Sequence, residues 1–215
     1  MSARGILATP QLIQVCGIIQ NAYSSSQNQA IPVEVPIWKK ILEERLSKQG
    51  KAFSINIQFF PPQGSQIRGA LNRYVTKADI FVSDKEKLPW QRYIATKELA
   101  HLLIDTPDQF THRPSSLMEQ LISGIPLWLL RKDHTQEDAA FESEKTAMIA
   151  AIEMLLPWKH RSHVQKRCHQ GKNNAEIAEE FNVPEYVVSN LLTPTYYAAS
   201  QNANMFVSEN LLAKQ

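Results

Sequence analysis

The chain reads as an α+β protein: a small antiparallel sheet packed on a helical core, followed by a C-terminal helical unit of helix-turn-helix type. Three observations carry that reading. Strand-like alternation is confined to residues 53–82, helical periodicity fills the chain on both sides of it, and after Trp158 the composition turns basic before a compact two-helix pattern begins. Residues 1–157 are expected to form the main domain and 158–215 the C-terminal unit with its tail.

The elements follow in order. Thr9-Pro10 opens a helix whose apolar stripe is Leu12, Ile13, Val15, Cys16, Ile18 and Ile19, and a polar loop at 24–29 ends it. Pro32 and Pro36 lead into a second helix through Ile37, Trp38, Ile41, Leu42 and Leu46, stopped by Gln49-Gly50. Alternating Phe53, Ile55, Ile57 and Phe59 predict a strand with one buried face, closed by Pro61-Pro62. A second strand pattern runs over 72–82 into a turn at 83–86, and Pro89 then introduces a long apolar helix. Beyond a polar loop at 105–114, an apolar helix is expected over about 116–130, broken at Gly124-Ile125-Pro126, then a charged loop at 132–138 and a helix over 139–156 stopped by Pro157. Trp38, Trp90, Trp128 and Trp158 sit beside apolar neighbours at element boundaries and are expected to pack in the core. His112 and His134 have no ligand spacing around them.

Composition sets broad limits. With 215 residues, 43% of them hydrophobic and 20% charged, the chain suits one sizeable domain and an appendage. No apolar run reaches the roughly 20 residues a membrane helix needs. The start lacks a charged segment followed by an apolar one, so no signal peptide is read and a cytoplasmic location is expected, with no membrane partner. Cys16 and Cys168 are expected to be free thiols. A net charge of +2 implies no partner by itself, so nucleic-acid arguments must rest on local clusters.

The most informative segment is Thr96-Lys97-Glu98-Leu99-Ala100-His101. In H-E-x-x-H helices two histidines one turn apart hold zinc and the glutamate between them activates the bound water. Here Glu98 and His101 stand where the general base and the second ligand belong, but Lys97 occupies the first ligand position. An ammonium has three donors and no lone pair, so it repels the ion it would have to bind. Lys97 can instead pair with Glu98, with a nearby carboxylate such as Glu142 or with a bound anion, or it can run out to solvent.

Together with Ala78-Asp79-Ile80-Phe81-Val82-Ser83 and the ending Glu153-Met154-Leu155-Leu156-Pro157, this helix resembles the ImmA/IrrE-like metallopeptidases over roughly residues 30–195. The resemblance implies a zincin-like core. It also implies a third zinc ligand, a glutamate in the helix before the closing proline, and counting back from Pro157 this position falls on Thr146, a poor ligand. Glu142 and Glu144 lie close by and serve only if that count is shifted. Two of three ligands are thereby lost, so no cofactor is expected.

The second motif lies in residues 174–192. Ala178 is small enough for two helices to cross, Asn182 tolerates positive φ at the turn, and Ile177, Phe181, Val183, Val188 and Leu191 join the helices. The second helix offers Ser189 and Asn190 but no cation to a major groove. Upstream, Lys166, Arg167 and Lys172, within a run that also holds Lys159, His160, Arg161, His163 and His169, are the candidates for phosphate contact.

The expected function is that of a non-catalytic regulatory protein of a bacterium, prophage or mobile element, acting through a protein partner, for which the resemblance suggests a helix-turn-helix repressor. The rival is an active zinc endopeptidase cleaving such a repressor, with Glu98 as base and His101 plus a carboxylate as ligands. A third reading is a DNA-binding module working through the C-terminal unit.

Overall fold

The computed structural model describes residues 10–24, 31–47, 51–61, 68–105 and 138–212. The helix expected over 116–130 lies outside them, as do Trp128, His112 and His134. Among the described residues the protein is a mixed α+β structure in which eight α-helices accompany a three-stranded sheet. The elements are α1 (Pro10–Ser24), α2 (Val35–Leu46), β1 (Ser54–Phe60), β2 (Gly69–Arg73), β3 (Lys77–Ser83), α3 (Leu88–Ile104), α4 (Asp138–Leu155), α5 (Arg161–His169), α6 (Asn174–Glu180), α7 (Glu185–Leu191) and α8 (Pro194–Leu212).

The sheet corrects the expectation of an antiparallel arrangement. Its order is β1-β3-β2, with β1 parallel to β3 and β2 antiparallel to β3. The stretch read as one strand over 72–82 is a hairpin broken at 74–76, where Tyr74 N–H donates back to the Lys77 carbonyl at 2.8 Å. Counting that hairpin as a single strand hides a partner for β3 and leaves only a two-strand antiparallel pairing to expect. The central strand is the most buried: Ala78, Ile80 and Val82 are sealed, and β1 turns Ile55 to the same core. Burial fades along β1, so Ile57 is half-buried and Phe59 is exposed, against the uniform inner face that alternation predicts.

Helix α3 rests on this sheet and is covered on its other sides by α2 and α4. Every residue from Arg92 to Leu102 is buried, the mark of a helix surrounded by protein rather than one with a wet face. Pro89 starts it, where the missing N–H costs nothing. Trp38 of α2 is sealed inside and its indole N–H donates to the Met154 carbonyl of α4 at 2.7 Å.

The core continues across the boundary that composition suggests at 157/158. Helix α1 packs on both α4 and α8, and the carboxylate of Glu153 in α4, fully buried, accepts from Gln20 of α1, Arg161 of α5 and Ser200 of α8. Arg161 and His160, counted in the basic run, are therefore interior. Burial, with Lys159 and His163 nearby, brings the His160 imidazole down to about 4, and its Nε2 lies 3.0 Å from the Tyr23 hydroxyl.

At the C-terminal end, Asn173 caps α6 reciprocally with Glu176. Asn182 adopts φ 50° at the turn into α7, and Ile177, Ala178, Phe181, Val183, Val188 and Leu191 are all buried. No described helix is long and apolar enough to cross a membrane.

A candidate site around Lys97

Lys97 and His101 are four apart on α3 and share a face, while the long lysine stem lets its ammonium curl back to the adjacent Glu98. That face meets Ser143 and Glu144 of α4. The ammonium lies 2.9 Å from Glu98 Oε1 and 2.8 Å from Glu144 Oε2, with only 5% of the Lys97 side chain exposed. The solvent-directed conformation is thus ruled out, and the paired one is adopted. Burial disfavours the ammonium, but the fields of Glu98 and Glu144 and hydrogen bonds to both outweigh it and hold Lys97 charged above the ordinary lysine range.

His101 completes the cluster. Its Nδ1 is 2.6 Å from Asp105 Oδ2, while the Ser143 hydroxyl donates to Asp105 Oδ1 at 2.8 Å. Burial opposes its charge, yet the hydrogen bond to Asp105 and the nearby Glu144 carboxylate raise the imidazole to about 9, so it is protonated at neutral pH. The Nε2 atom points toward Glu144 Oε1 at 3.3 Å, but off the line of a hydrogen bond, and has no other acceptor among the described residues. Glu144 feels burial, which raises its carboxyl, and then Lys97 and His101, which prevail and bring it down to about 2.

Strand β2 closes the cluster from the sheet side. A Cβ on Gly69 would stand 2.4 Å from Ile94 Cγ2 and 2.9 Å from Glu98 Oε1, so only glycine allows this approach of strand to helix.

The carboxylate that α4 contributes is Glu144, two residues before the Thr146 position reached by counting from Pro157. Thr146 is half-buried. The placement of Glu144 matters chemically, because His101 and Glu144 then face one point from two helices. The point is filled by the Lys97 ammonium. A zinc ion does not fit this donor set as it stands: it would lie among groups already bonded to a fixed positive charge, and its ligand His101 is protonated. No group of three His, Cys, Asp or Glu side chains suited to a metal occurs among the described residues. Nor is Ser143-His101-Asp105 a nucleophilic triad, since serine and aspartate meet the same ring nitrogen, whereas a triad needs them on opposite ones. Glu98, the expected general base, is occupied by Lys97.

The nucleic-acid candidates are dispersed. Lys166 is exposed on α5. Arg167 and Lys172 converge on Glu180, with Arg167 Nε at 2.6 Å and Lys172 Nζ at 2.9 Å from its oxygens, so their charges are partly answered within the protein. Ser189 is bonded to Asn174 and to the Glu185 carbonyl. Asn190 is 4% exposed and donates to the Tyr186 carbonyl at 2.8 Å, which corrects its assignment as a base contact: the helical twist turns it inward, toward the core.

The sequence motifs do not single out Asp105 and Ser143, although an acid four residues after a helical histidine is a readable signal for a ring held by a carboxylate. No protein-family profile and no curated protein matches this chain.

Proposed function

We propose that this chain is a non-catalytic regulatory protein of a bacterium, prophage or mobile element, with an ImmA/IrrE-like peptidase frame in which a lysine replaces the metal. On this reading it acts by holding a protein partner, for which the family resemblance suggests a helix-turn-helix repressor. The observation that carries the proposal is the Lys97 ammonium bonded to both Glu98 and Glu144, which supplies fixed positive charge where hydrolysis needs a Lewis acid. Two cations, Lys97 and His101, face three carboxylates, Glu98, Glu144 and Asp105, so the buried charge is largely balanced without an ion.

One observation favours the rival endopeptidase: Asp105 holds the His101 ring from behind, as carboxylates do for metal-binding histidines. Elemental analysis of protein purified without chelator separates the two. The pseudo-peptidase reading expects far less than one zinc per chain and no peptidase activity. Stoichiometric zinc lost on His101→Ala would overturn it.

Direct reading of DNA receives less support, because α7 offers no cation and buries Asn190. Contact with phosphates through Lys166 and its neighbours is the form of nucleic-acid binding left to test.

A further inference from the structure

Helix α7, which a DNA-reading unit would lay in the groove, is turned against the site helix. Tyr186 of α7 stacks on Trp90 of α3 with ring centroids 6.5 Å apart and meets Tyr93 of α3 edge-on at 5.8 Å. Just before α7, the turn is held by the same helix. The Arg92 guanidinium, 5% exposed, donates to the carbonyls of Phe181 and Asn182, and its other terminal nitrogen donates to Val33 O at 2.8 Å. Three segments, the α6–α7 turn, the approach to α2, and α3, are therefore tied at one side chain. Tyr93 continues the path: it is sealed, its hydroxyl reaches toward the Met148 carbonyl at 3.5 Å, and it lies one helical turn before Lys97, within the fields of Lys97 and Glu144.

We propose that the α6–α7 pair is a clamp on the site helix rather than a detachable reading head, with Arg92 and Tyr186 as positioning residues that keep the Lys97 cluster closed. Tyr186 packs on Tyr93, which lies within the field of Lys97, and Arg92 stops the α6–α7 pair from swinging away. A partner that draws α7 off α3 therefore opens the buried charges to water, which connects the C-terminal unit to the site. The coupling rests on the Lys97 cluster being the functional centre, but its test is separate from the zinc measurement, because it reads access to Lys97 and not metal.

Amine acetylation with acetic anhydride, mapped by mass spectrometry on the full chain, measures that access. A buried ammonium is modified only through local opening, so its rate relative to exposed Lys166 reports the opening equilibrium. Tyr186→Ala is expected to accelerate modification at Lys97 on the order of tenfold relative to Lys166, whereas Tyr186→Phe, which keeps the ring, leaves it near the native rate. Arg92→Lys retains the charge but loses the forked donors and is expected to accelerate it as well, serving as the second variant if Tyr186→Ala fails to fold. Tyr197→Ala, which removes a ring packed on Trp158 rather than on Trp90 and Tyr93 of α3, controls for general loss of stability. Lys97 modified no faster in Tyr186→Ala and Arg92→Lys than in Tyr197→Ala would overturn the clamp.

Discussion

Lys97→Met tests the physical centre of the argument. Methionine keeps most of the stem volume and removes the charge, leaving Glu98 and Glu144 with side chains 5% and 22% exposed and without their shared cation. Breaking a buried pair from one side typically costs about 3–5 kcal/mol, because the abandoned charge remains out of water. Glu144 keeps partial access to solvent and retains His101, so the lower half of that range, about 3–4 kcal/mol, is expected. At about 2–4 °C per kcal/mol for a chain of this size, the melting temperature should fall by about 6–16 °C. Glu144→Gln added to Lys97→Met should recover part of the loss, since a neutral amide no longer needs the ammonium. Calorimetry or thermal circular dichroism at pH 7 checks both variants. A loss under about 1 kcal/mol, the usual worth of a solvent-exposed pair, would refute the buried cluster and the functional reading built on it.

Three further outcomes follow from the same geometry. Lys97→His brings a second imidazole beside His101 and Glu144, giving the three protein ligands a catalytic zinc takes, so it should bind about one zinc per chain by elemental analysis; Glu144→Gln in that background should abolish binding, and retained zinc would show that the third ligand is elsewhere. Native stability should be highest near pH 6.5: His160, lowered to about 4, loses its contribution as pH falls from 6.5 toward 4, Glu144, lowered to about 2, loses its own as pH falls from about 4.5 toward 2, and His101, raised to about 9, loses its contribution as pH rises from 6.5 through 9. Denaturant melts across that range check the signs, and a His101→Gln variant whose alkaline limb is unchanged would remove His101 as its source. Ala178→Leu should cost about 1–3 kcal/mol by overpacking the α6–α7 crossing, measured in urea, while no loss would mean that the crossing is loose.

The legible parts of the chain were those whose local chemistry decides the outcome. Asn182 was readable as a positive-φ turn residue because a short amide tolerates that conformation, and the buried set from Ile177 to Leu191 was readable because two short helices must join through apolar positions. Lys97 was readable as an obstacle to zinc because its charge is independent of fold. Long-range geometry was not legible. Parallel pairing of β1 with β3 depends on a hairpin whose break at Tyr74-Val75-Thr76 carries neither glycine nor proline. The choice of Glu144 over Thr146 depends on how α4 is rotated against α3, and a shift of two residues turns a helix through about 200°.

That rotation also explains why the cluster is internally consistent as it stands. With Glu144 facing α3, an uncharged residue at position 97 would leave two carboxylates and an imidazole around a buried point, an arrangement that either recruits a metal or repels itself. The lysine resolves the conflict from within, and Asp105 then draws the proton onto His101 that keeps the ring cationic. Each bond makes the next less available to zinc: the ammonium engages Glu98 and Glu144, the protonated imidazole has no lone pair to offer at Nε2, and Gly69 lets strand β2 close over the Glu98 carboxylate. The site is therefore assembled as a network of paired charges, and among the described residues His101 Nε2 lies 3.3 Å from Glu144 Oε1 without a hydrogen-bond partner, so an acceptor gained at that atom would shift the balance of the whole network.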